Sequence, residues 1–336
     1  MKIKISQAAD LLTTALKAKL VPMLHGSPAV GKSSVVKEIA HNFNLKLIDL
    51  RLSQCDPTDL LGLPTFTNGR AGYAPMNTFP IEGDEIPRGY SGWLLFLDEF
   101  NSAPMSVQAA AYKLVLDRMV GIHNLHKNVA IVCAGNLESD GAIVQPMSTA
   151  LQSRLVHLEV EVNNKEWVDW ANSKGFDHRI TSYIDFRPDQ IYTFSPDHTD
   201  KTYASPRTWE FMNNLLKVSK ITRDMLPLMI GTVGEGTARE FYGFCEIQDR
   251  LPKLEEIVSK PNTIKVPEEP SVLFALSGSL AANATEENVS SLITFIGRMP
   301  AEFQVVCLRN LVRRNKSLLK NPAIIGWITK ASVDLF

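Results

Sequence analysis

The sequence is poor in cysteine and has no excess of either charge. Its four cysteines lie far apart, with neither a CxxC spacing nor a pattern of histidine partners, which argues against a disulfide framework and against a structural zinc site. The 35 Lys and Arg residues and the 36 Asp and Glu residues leave a formal net charge of -1. The chain as a whole therefore does not attract nucleic acid or an anionic membrane, and any such contact must be local.

Long apolar runs are missing as well. The segment MKIKISQAADLLTTALKAKL lacks the uninterrupted apolar core of a signal peptide, and no other run approaches the length needed to span a bilayer. These features predict a cytoplasmic protein without membrane insertion. At 336 residues the chain is long enough for two domains, or for one α/β domain with a helical appendage.

Short apolar runs alternate with helical patterns in the first half of the chain. A predicted helix with Ser6 as its N-cap comes first. Runs with little polar interruption suit parallel strands that are buried on both faces. We therefore predict an α/β fold with a five-stranded parallel sheet between layers of helices. The runs span residues 20–26, 45–52, 92–98, 128–135 and 155–162.

The rest of the chain has two kinds of segment. The connection 53–91 is rich in glycine and proline, and a loop of this length inside a compact domain is usually functional or mobile. After about residue 163 the strand pattern stops, and helical patterns follow on both sides of a proline-rich linker at 259–271. We predict an α/β domain over 1–163, a helical domain over 164–258, and a linker with a last helical region of unassigned role over 259–336.

One loop matches a phosphate-binding pattern. Gly26, Gly31, Lys32 and Ser33 occupy the required positions of GxxxxGK[ST], between a predicted strand and a predicted helix. Such a loop surrounds phosphate oxygens with backbone N–H groups, and the helix N-terminus favours an anion. Lys32 would neutralise the β and γ phosphates, and the Ser33 hydroxyl would bind Mg²⁺. The predicted nucleotide-binding residues are Gly26, Ser27, Pro28, Ala29, Val30, Gly31, Lys32, Ser33 and Ser34.

Two acids follow the apolar run WLLFL. A buried strand here would place Asp98 and Glu99 at the carboxyl edge of the sheet, where ligands bind in open α/β folds. Asp98 would hold Mg²⁺ through water, and Glu99 would polarise the attacking water. Taken without the loop, the two acids could equally form a solvated strand end.

Three more polar residues could complete the site. Asn136 ends another apolar run, where its amide could lie between the γ-phosphate and the attacking water or could form a turn. Arg154 follows a short helical stretch, either as an arginine finger or as a cation at a helix C-terminus. Arg207 falls in the first turn of a helix that begins with Ser205 and Pro206. The helix dipole disfavours a cation there, and a nearby anion would explain its presence.

These motifs resemble those of the AAA+ ATPases, and in particular of the MoxR-like branch. The resemblance covers about residues 20–250 and rests on HGSPAVGKSS, DPTDLLGLPT, GWLLFLDEFNSAPMSVQAAAYKLVLDRMV, CAGN, ALQSRL and SPRTWE, in the order that this family shows. It implies an AAA+ αβα core over 1–163 and a helical lid over 164–258. By this resemblance Lys32 and Ser33 belong to Walker A, Asp98 and Glu99 to Walker B, Asn136 to sensor 1, Arg154 to the finger and Arg207 to sensor 2.

The resemblance also implies cofactors and partners. It implies ATP, favoured over GTP on this ground alone, and Mg²⁺ in a ring that commonly has six subunits. The neighbour's Arg154 would then complete each hydrolysis site. MoxR-like proteins resemble chaperones that remodel a client protein, often with a von Willebrand factor A domain protein as adaptor. One departure is Ala29, which stands where Walker A of this family usually has a third glycine and would be strained at a positive φ.

Three functional hypotheses follow. The resemblance favours an ATP-driven protein remodeller, and the alternatives are a DNA or RNA motor or loader and a nucleotide-gated scaffold with little turnover. Glu99 argues against the scaffold, because a pure switch needs no acid that polarises water.

Tyr73 and Phe79, in the connection 53–91, are candidates for client contact. The hypothesis of a nucleic-acid motor is supported by a predicted basic stripe along one helix, which a solvated helix face would also explain. The stripe consists of Arg309, Arg313, Lys316 and Lys320.

Overall fold

The computed structural model describes residues 1–67, 69–140, 144–247 and 251–334. The chain divides into two compact units. The first comprises Met1–Val162 and Ser195–Asp197, and the second comprises Asn163–Phe194 and His198–Phe336. In the described part of the chain the named strands belong to the first unit, and the second unit is helical.

The first unit contains ten named strands. They are β1 (Lys2–Ile3), β2 (Val21–His25), β3 (Leu45–Arg51), β4 (Leu63–Thr67), β5 (Arg70–Ala74), β6 (Gly92–Asp98), β7 (Met119–Val120), β8 (His123–Asn124), β9 (Val129–Gly135) and β10 (Leu155–Val160). Six of them form one sheet in the order β1-β10-β2-β9-β6-β3. Every neighbouring pair in this sheet is parallel, so the α/β fold class is confirmed.

Each of the five predicted apolar runs forms a strand of this sheet. In β6 the residues from Gly92 to Leu97 are all buried, which explains why the run carries almost no polar side chain. The sixth strand, β1, was not predicted because two residues are too short to produce a pattern. It extends the sheet by pairing with β10.

The helices of the first unit are α1 (Ile5–Lys17), α2 (Lys32–Asn42), α3 (Pro57–Leu61), α4 (Met105–Leu116) and α5 (Thr149–Gln152). The prediction of Ser6 as the first N-cap is wrong, because the N-cap is Lys4, two residues earlier, and the helix begins at Ile5. The backbone N–H of Lys4 donates to the Gln7 side chain at 3.2 Å, which satisfies the cap at this position. The connection 53–91 contains α3 and the antiparallel hairpin β4–β5.

The main core of the first unit packs α4 against the sheet. Leu95, Leu97 and Leu114 are fully buried within it. Phe79 belongs to the same core and is only 3% exposed, which corrects its prediction as a client-contacting side chain. Tyr73, by contrast, is 42% exposed on β5. A loop sequence cannot distinguish these two aromatic residues, because burial depends on how the loop folds back.

The cysteines are free thiols with very different exposure. Cys133, Cys245 and Cys307 are buried, whereas Cys55 is partly exposed. Burial raises the pKa of Cys245 and of Cys307 to about 12, and it raises the pKa of Cys133 further. These three thiols are therefore small buried apolar groups, in line with the expectation that they form no disulfide.

The second unit is a helical assembly. Its helices are α6 (Asn164–Ser173), α7 (His178–Phe186), α8 (Pro206–Val218), α9 (Leu226–Val233), α10 (Glu235–Glu246), α11 (Leu254–Ser259), α12 (Pro270–Asn283), α13 (Val289–Ile296), α14 (Ala301–Arg314) and α15 (Pro322–Asp334). α12 packs against α7, and α14 packs against α6, so helices beyond residue 259 share a unit with helices of the predicted lid. Residues 248–250, within the predicted helical domain 164–258, lie outside the described residues.

Candidate active site

The phosphate-binding pattern lies between β2 and α2, as its proposed role requires. Gly31 is the N-cap of α2 and has a φ of 105°, a conformation that favours glycine. Lys32 is the first residue of α2. The loop 26–34 therefore meets the N-terminus of α2, where unpaired N–H groups and the helix dipole favour an anion.

Lys32 links this loop to Asn136. Its ammonium group donates to the Gly26 carbonyl at 2.6 Å, to the Ser27 carbonyl at 3.0 Å and to the Asn136 side-chain oxygen at 3.2 Å. The residue is only 8% exposed. Asn136 directly follows β9, the neighbour of β2 in the sheet. Two predicted site residues that are 104 positions apart in the sequence are thus in direct contact.

Ser33 and Asp98 form the second pair of predicted residues. The Ser33 hydroxyl donates to an Asp98 carboxylate oxygen at 3.0 Å. Hydroxyl and carboxylate oxygens are ligands that Mg²⁺ prefers, and proteins usually bind this ion through one or two carboxylates together with substrate phosphates. The donor set of this pair therefore fits the predicted Mg²⁺ position.

Glu99 adopts an unusual backbone conformation beside Asp98. Its φ is 55°, which is uncommon for a residue other than glycine. Its N–H donates to an Asp98 carboxylate oxygen at 2.9 Å, and the Ser53 hydroxyl donates to a Glu99 carboxylate oxygen. Ser53 lies in a 3₁₀ turn, Leu52–Gln54, directly after β3. Strained residues held by their surroundings cluster at functional sites, and Glu99 fits this description.

Sequence analysis missed the role of Ser53. Its position in the sequence could have indicated this role. Ser53 follows β3, which is parallel to its neighbour β6, so the two strands end at the same edge of the sheet. A serine is also common in turns, so its residue type alone does not single it out.

Asn101 was also missed, and it holds the backbone of Asn136. Its side-chain amide donates to the Asn136 carbonyl at 2.8 Å, and its side-chain oxygen accepts from the Asn136 N–H at 3.0 Å. Asn101 is 4% exposed. A Cβ at Gly135 would lie 2.3 Å from the Asn101 side-chain oxygen, so a glycine is required there for this contact. The ends of β6 and β9 are thereby fastened together.

Asp140 is a further carboxylate beside the loop. It is 9% exposed, and one of its oxygens accepts from the Ser27 hydroxyl at 3.1 Å. Its second oxygen is buried and has no hydrogen-bond partner among the described residues. This side chain adds negative charge next to Ser27, opposite in sign to the nearby Lys32.

Arg154 lies on the surface of the first unit, two residues after the end of α5. Its guanidinium donates to the Ala150 carbonyl at 2.9 Å and lies 5.9 Å from the centre of the Tyr112 ring. Within the described residues these contacts go to α5 and to α4, and not to Lys32 or Glu99. Unlike the other predicted catalytic residues of this unit, Arg154 is exposed.

Arg207 belongs to the second unit. The structure confirms Ser205 as the N-cap of α8 and Pro206 as its first residue, with the Ser205 hydroxyl accepting from the Thr208 N–H at 3.2 Å. Arg207 is exposed in the first turn, where the helix dipole disfavours its charge. The structure therefore contains the helix start from which the sequence analysis inferred an anion near Arg207.

The basic stripe predicted in the C-terminal region is not a continuous helix face. α14 ends at Arg314, so Lys316 and Lys320 lie in a separate 3₁₀ segment. Arg309 forms an ion pair with Asp185 at 2.8 Å, and Arg313 forms one with Asp169 at 3.2 Å. The prediction of a basic stripe is therefore wrong, because its four residues do not lie on one helix and because two of their charges already form ion pairs.

Ala29 provides a first test of the loop. Its φ is 63°, a left-handed conformation that costs a residue with a Cβ about 1–2 kcal/mol. We expect Ala29→Gly to relieve this strain. Because glycine also has more conformational entropy in the unfolded chain, part of the relief is lost. The gain in folding stability and the gain in nucleotide affinity should then sum to about 1 kcal/mol. Denaturant unfolding and titration with nucleotide measure the two contributions.

Lys19→Gly is the matched control for this substitution. Lys19 has a φ of 59° and lies outside the loop, before β2. It should gain stability by the same relief of strain while the dissociation constant of the nucleotide stays constant. If Ala29→Gly changes neither stability nor affinity, the strain assigned to Ala29 is wrong.

No helix in the described part of the chain combines the length and the apolar composition needed to cross a membrane. No family model matches the sequence. No curated protein matches it either.

Several solved structures are similar to the chain. A candidate ATPase from Cytophaga hutchinsonii is 15% identical, with 98% of this chain and 88% of that chain covered and a TM-score of 0.37. A point mutant of Thermotoga maritima RuvB is 18% identical, with 82% and 80% covered and a TM-score of 0.40. NtrX from Brucella abortus is 14% identical, with 82% and 67% covered and a TM-score of 0.40. At these identities and TM-scores the similarities do not by themselves define the fold of this chain.

The geometry of the chain itself defines its fold type. The loop 26–34 joins a central parallel strand to a helix, and Asp98, Glu99 and Asn136 follow the ends of two neighbouring strands. Hydrogen bonds join Lys32 to Asn136 and Ser33 to Asp98 across this edge of the sheet. The chain therefore has a parallel α/β fold with a loop of the phosphate-binding pattern at one edge of the sheet, followed by a helical region.

Proposed function

We propose that this chain is a ring-forming, Mg²⁺-dependent ATPase that uses ATP hydrolysis to remodel a client protein. The observation that carries the proposal is the set of contacts at one edge of the sheet. There Lys32 contacts Asn136, Ser33 contacts Asp98, and Glu99 follows Asp98 directly. These groups supply a cation for phosphate, hard oxygen ligands for a metal and an acid for water.

In the proposed mechanism the loop binds the phosphates. Lys32 exchanges its contacts with the Gly26 and Ser27 carbonyls for phosphate oxygens, and the N–H groups at the start of α2 donate to the same oxygens. Ser33 and Asp98 would hold Mg²⁺, which neutralises charge on the phosphates when it is bound. The Asn136 amide, fixed by Asn101, would lie beside the γ-phosphate.

Glu99 carries the step that involves water. A carboxylate at this position accepts a hydrogen bond from the attacking water and orients it toward the γ-phosphate. The Ser53 hydroxyl binds the same carboxylate and limits the directions that it can take. A nucleotide-gated scaffold would need neither group, so the arrangement favours turnover.

We propose that Arg154 acts on the nucleotide of a neighbouring subunit. The support is its exposed position, where among the described residues its guanidinium contacts the Ala150 carbonyl and the Tyr112 ring and neither Lys32 nor Glu99. Arginine fingers contribute about 10³- to 10⁵-fold to phosphoryl transfer. The subunits would then form a ring, by the MoxR-like resemblance a hexamer in the cytoplasm, and Arg207 would contact nucleotide as sensor 2.

The client is proposed to be a protein, with a von Willebrand factor A domain protein as its adaptor by the same resemblance. The support in the structure is apolar side chains that the two hairpins expose. Phe66 on β4 is 82% exposed, and Ile122 in the turn between β7 and β8 is 60% exposed. Exposed apolar side chains on adjoining hairpins suit contact with unfolded polypeptide. The hairpins adjoin each other, since His123 and the Tyr73 carbonyl lie 3.0 Å apart.

The mass of the assembly tests the proposal first. With ATP and Mg²⁺, native mass spectrometry should show a nucleotide-dependent hexamer, and ATPase activity per subunit should rise with protein concentration as rings form. Mixing a Lys32→Ala chain with an Arg154→Ala chain should restore activity that neither has alone. In the mixture, one subunit binds nucleotide and the other supplies the finger.

Three outcomes would overturn parts of this proposal. A monomer with full turnover would remove Arg154 from the site. A ring that hydrolyses ATP but is stimulated by DNA or RNA, and by no unfolded protein, would replace the remodeller by a nucleic-acid motor. A chain that binds ATP without turning it over at any concentration would support the scaffold.

A further inference from the structure

Two histidines form a stacked, hydrogen-bonded pair beside the loop. His25 is the last residue of β2 and directly precedes Gly26, and His157 lies on the neighbouring strand β10. Their ring centres are 5.1 Å apart with an interplanar angle of 23°, and Nε2 of His25 lies 2.8 Å from Nδ1 of His157. The function proposed above does not use either residue.

A third group fixes the direction of these hydrogen bonds. Nε2 of His157 lies 2.9 Å from the Gln152 carbonyl. Because a carbonyl oxygen only accepts, Nε2 of His157 must carry the hydrogen. Nδ1 of a neutral His157 is then an acceptor, and Nε2 of His25 donates to it. The chain of donors runs from His25 to His157 and ends on Gln152.

The charge state of His25 agrees with this arrangement. Burial, followed by the neighbouring His157 and Lys32, lowers its pKa to about 4, with Glu159 acting in the opposite direction. His25 is therefore neutral near neutral pH and has one hydrogen to donate. Both the geometry and the electrostatics support the same assignment of hydrogens.

Gln152 is the last residue of α5, two positions before Arg154. α5 has only four residues, and the carbonyls of Thr149, Ala150 and Leu151 accept from Ser153 and Arg154, which follow the helix. Ser148 caps its start by accepting from the Leu151 N–H at 3.3 Å. At the other end the Gln152 carbonyl accepts from His157, two residues before the arginine. This hydrogen bond ties the turn that carries Arg154 to the sheet.

We propose that His157 is a positioning residue for Arg154, held in place by His25, and that this pair connects the loop 26–34 of one subunit to the finger that the same subunit offers to its neighbour. This inference rests on the proposed shared site. According to this inference, His157 affects the rate of hydrolysis in the adjacent subunit. It does not affect the binding of nucleotide to the subunit that contains it.

Substitutions at His157 separate hydrogen bonding from packing. His157→Phe keeps an aromatic ring for stacking but has no donor for Gln152, and we expect kcat to fall about threefold to tenfold with KM unchanged. His157→Gln places an N–H at a similar reach and should restore most of the rate. His41→Phe, which replaces an exposed histidine at the far end of α2, is the matched control and should leave kcat unchanged.

Mixed rings show in which subunit His157 acts. In the mixture of Lys32→Ala and Arg154→Ala chains, His157→Phe is placed first in the Lys32→Ala chain, which supplies the finger, and then in the Arg154→Ala chain, which binds nucleotide. We expect the rate to fall in the first arrangement and to stay constant in the second. Equal loss in both, loss only in the second, or no loss in either would overturn the inference.

The controls distinguish this failure from failure of the proposed function. If the mixture with His157 intact regains no activity, the shared site itself is wrong. If His157→Phe lowers the midpoint of thermal unfolding, His157→Gln in the same two arrangements provides the comparison. A His157→Gln finger donor with intact rate, beside a slowed His157→Phe donor, supports the hydrogen bond to Gln152.

Discussion

Glu99→Gln is expected to lower the kcat of ATP hydrolysis by about 10²- to 10⁴-fold while nucleotide binding is kept. The amide is close in size to the carboxylate, and it still accepts a hydrogen bond from Ser53, but it does not take up a proton from water. The glutamine chain should therefore hold ATP in the ring. Single-turnover hydrolysis and equilibrium binding of labelled ATP measure the two effects separately.

Ser53→Ala is the informative companion of this variant. Its hydroxyl contacts Glu99, so its loss should reduce kcat through the orientation of that carboxylate, by about threefold to tenfold. In the Glu99→Gln background the same change should have no further effect, because residues that act through one group are not additive. Unchanged turnover in Glu99→Gln would remove Glu99 from the chemistry. Additive losses would remove Ser53 from its role.

Arg309→Met is expected to destabilise the second unit by about 3–5 kcal/mol, the usual cost of removing one partner from a buried ion pair. Arg309 contacts both carboxylate oxygens of Asp185, at 2.8 and 2.9 Å. The Asp185 side chain is only 7% exposed, and Asn310 donates to it at 3.2 Å. Without Arg309 the carboxylate keeps the Asn310 amide but has no cation among the described residues to offset its burial.

The loss of folding stability in Arg309→Met should depend on pH in a defined direction. Burial raises the pKa of Asp185 above its ordinary value, while Arg309 and Asn310 oppose this. A raised pKa means that the folded state binds the proton more tightly than the unfolded state, so protonation favours folding. Removing Arg309 raises the pKa further. The deficit of Arg309→Met should therefore be largest above this pKa and should shrink as the pH falls through it.

Tryptophan fluorescence during urea unfolding measures this effect. Trp167, Trp170, Trp209 and Trp327 belong to the second unit, and Trp93 belongs to the first, so the signal reports mainly on the second. Arg313→Met is the control, since its side chain is 51% exposed and a surface pair contributes about 0–1 kcal/mol. Equal losses in the two variants would show that Arg309 is no more than a surface charge.

The sequence was sufficient to predict five of the six strands of the main sheet and to bring several candidate site residues to one edge of it. Buried parallel strands leave continuous apolar runs, so each of the five long strands was predicted within a few residues of its bounds. The parallel arrangement then places the residues after β6 and β9 at one edge, next to the loop. The contacts of Lys32 with Asn136 and of Ser33 with Asp98 follow from this topology.

Contacts that depend on folding back of loops were not predictable. Ser53 and Asn101 carry no pattern of their own, and their roles appear only when the ends of neighbouring strands are brought together. Phe79 was misjudged because a glycine-rich segment folds it into the core. The basic stripe failed because spacing along one helix does not show the carboxylates on other helices that pair with Arg309 and Arg313.

The burial of three cysteines gives the unmodified protein a built-in site for chemical labelling. Cys55 is the partly exposed thiol, and it lies two residues after Ser53. Burial, with Asp59 and Asp56 nearby, raises its pKa, so alkaline pH speeds its reaction with a maleimide by increasing the thiolate fraction. A fluorophore on Cys55 would report movement of the Ser53 turn on nucleotide binding, without any engineered cysteine.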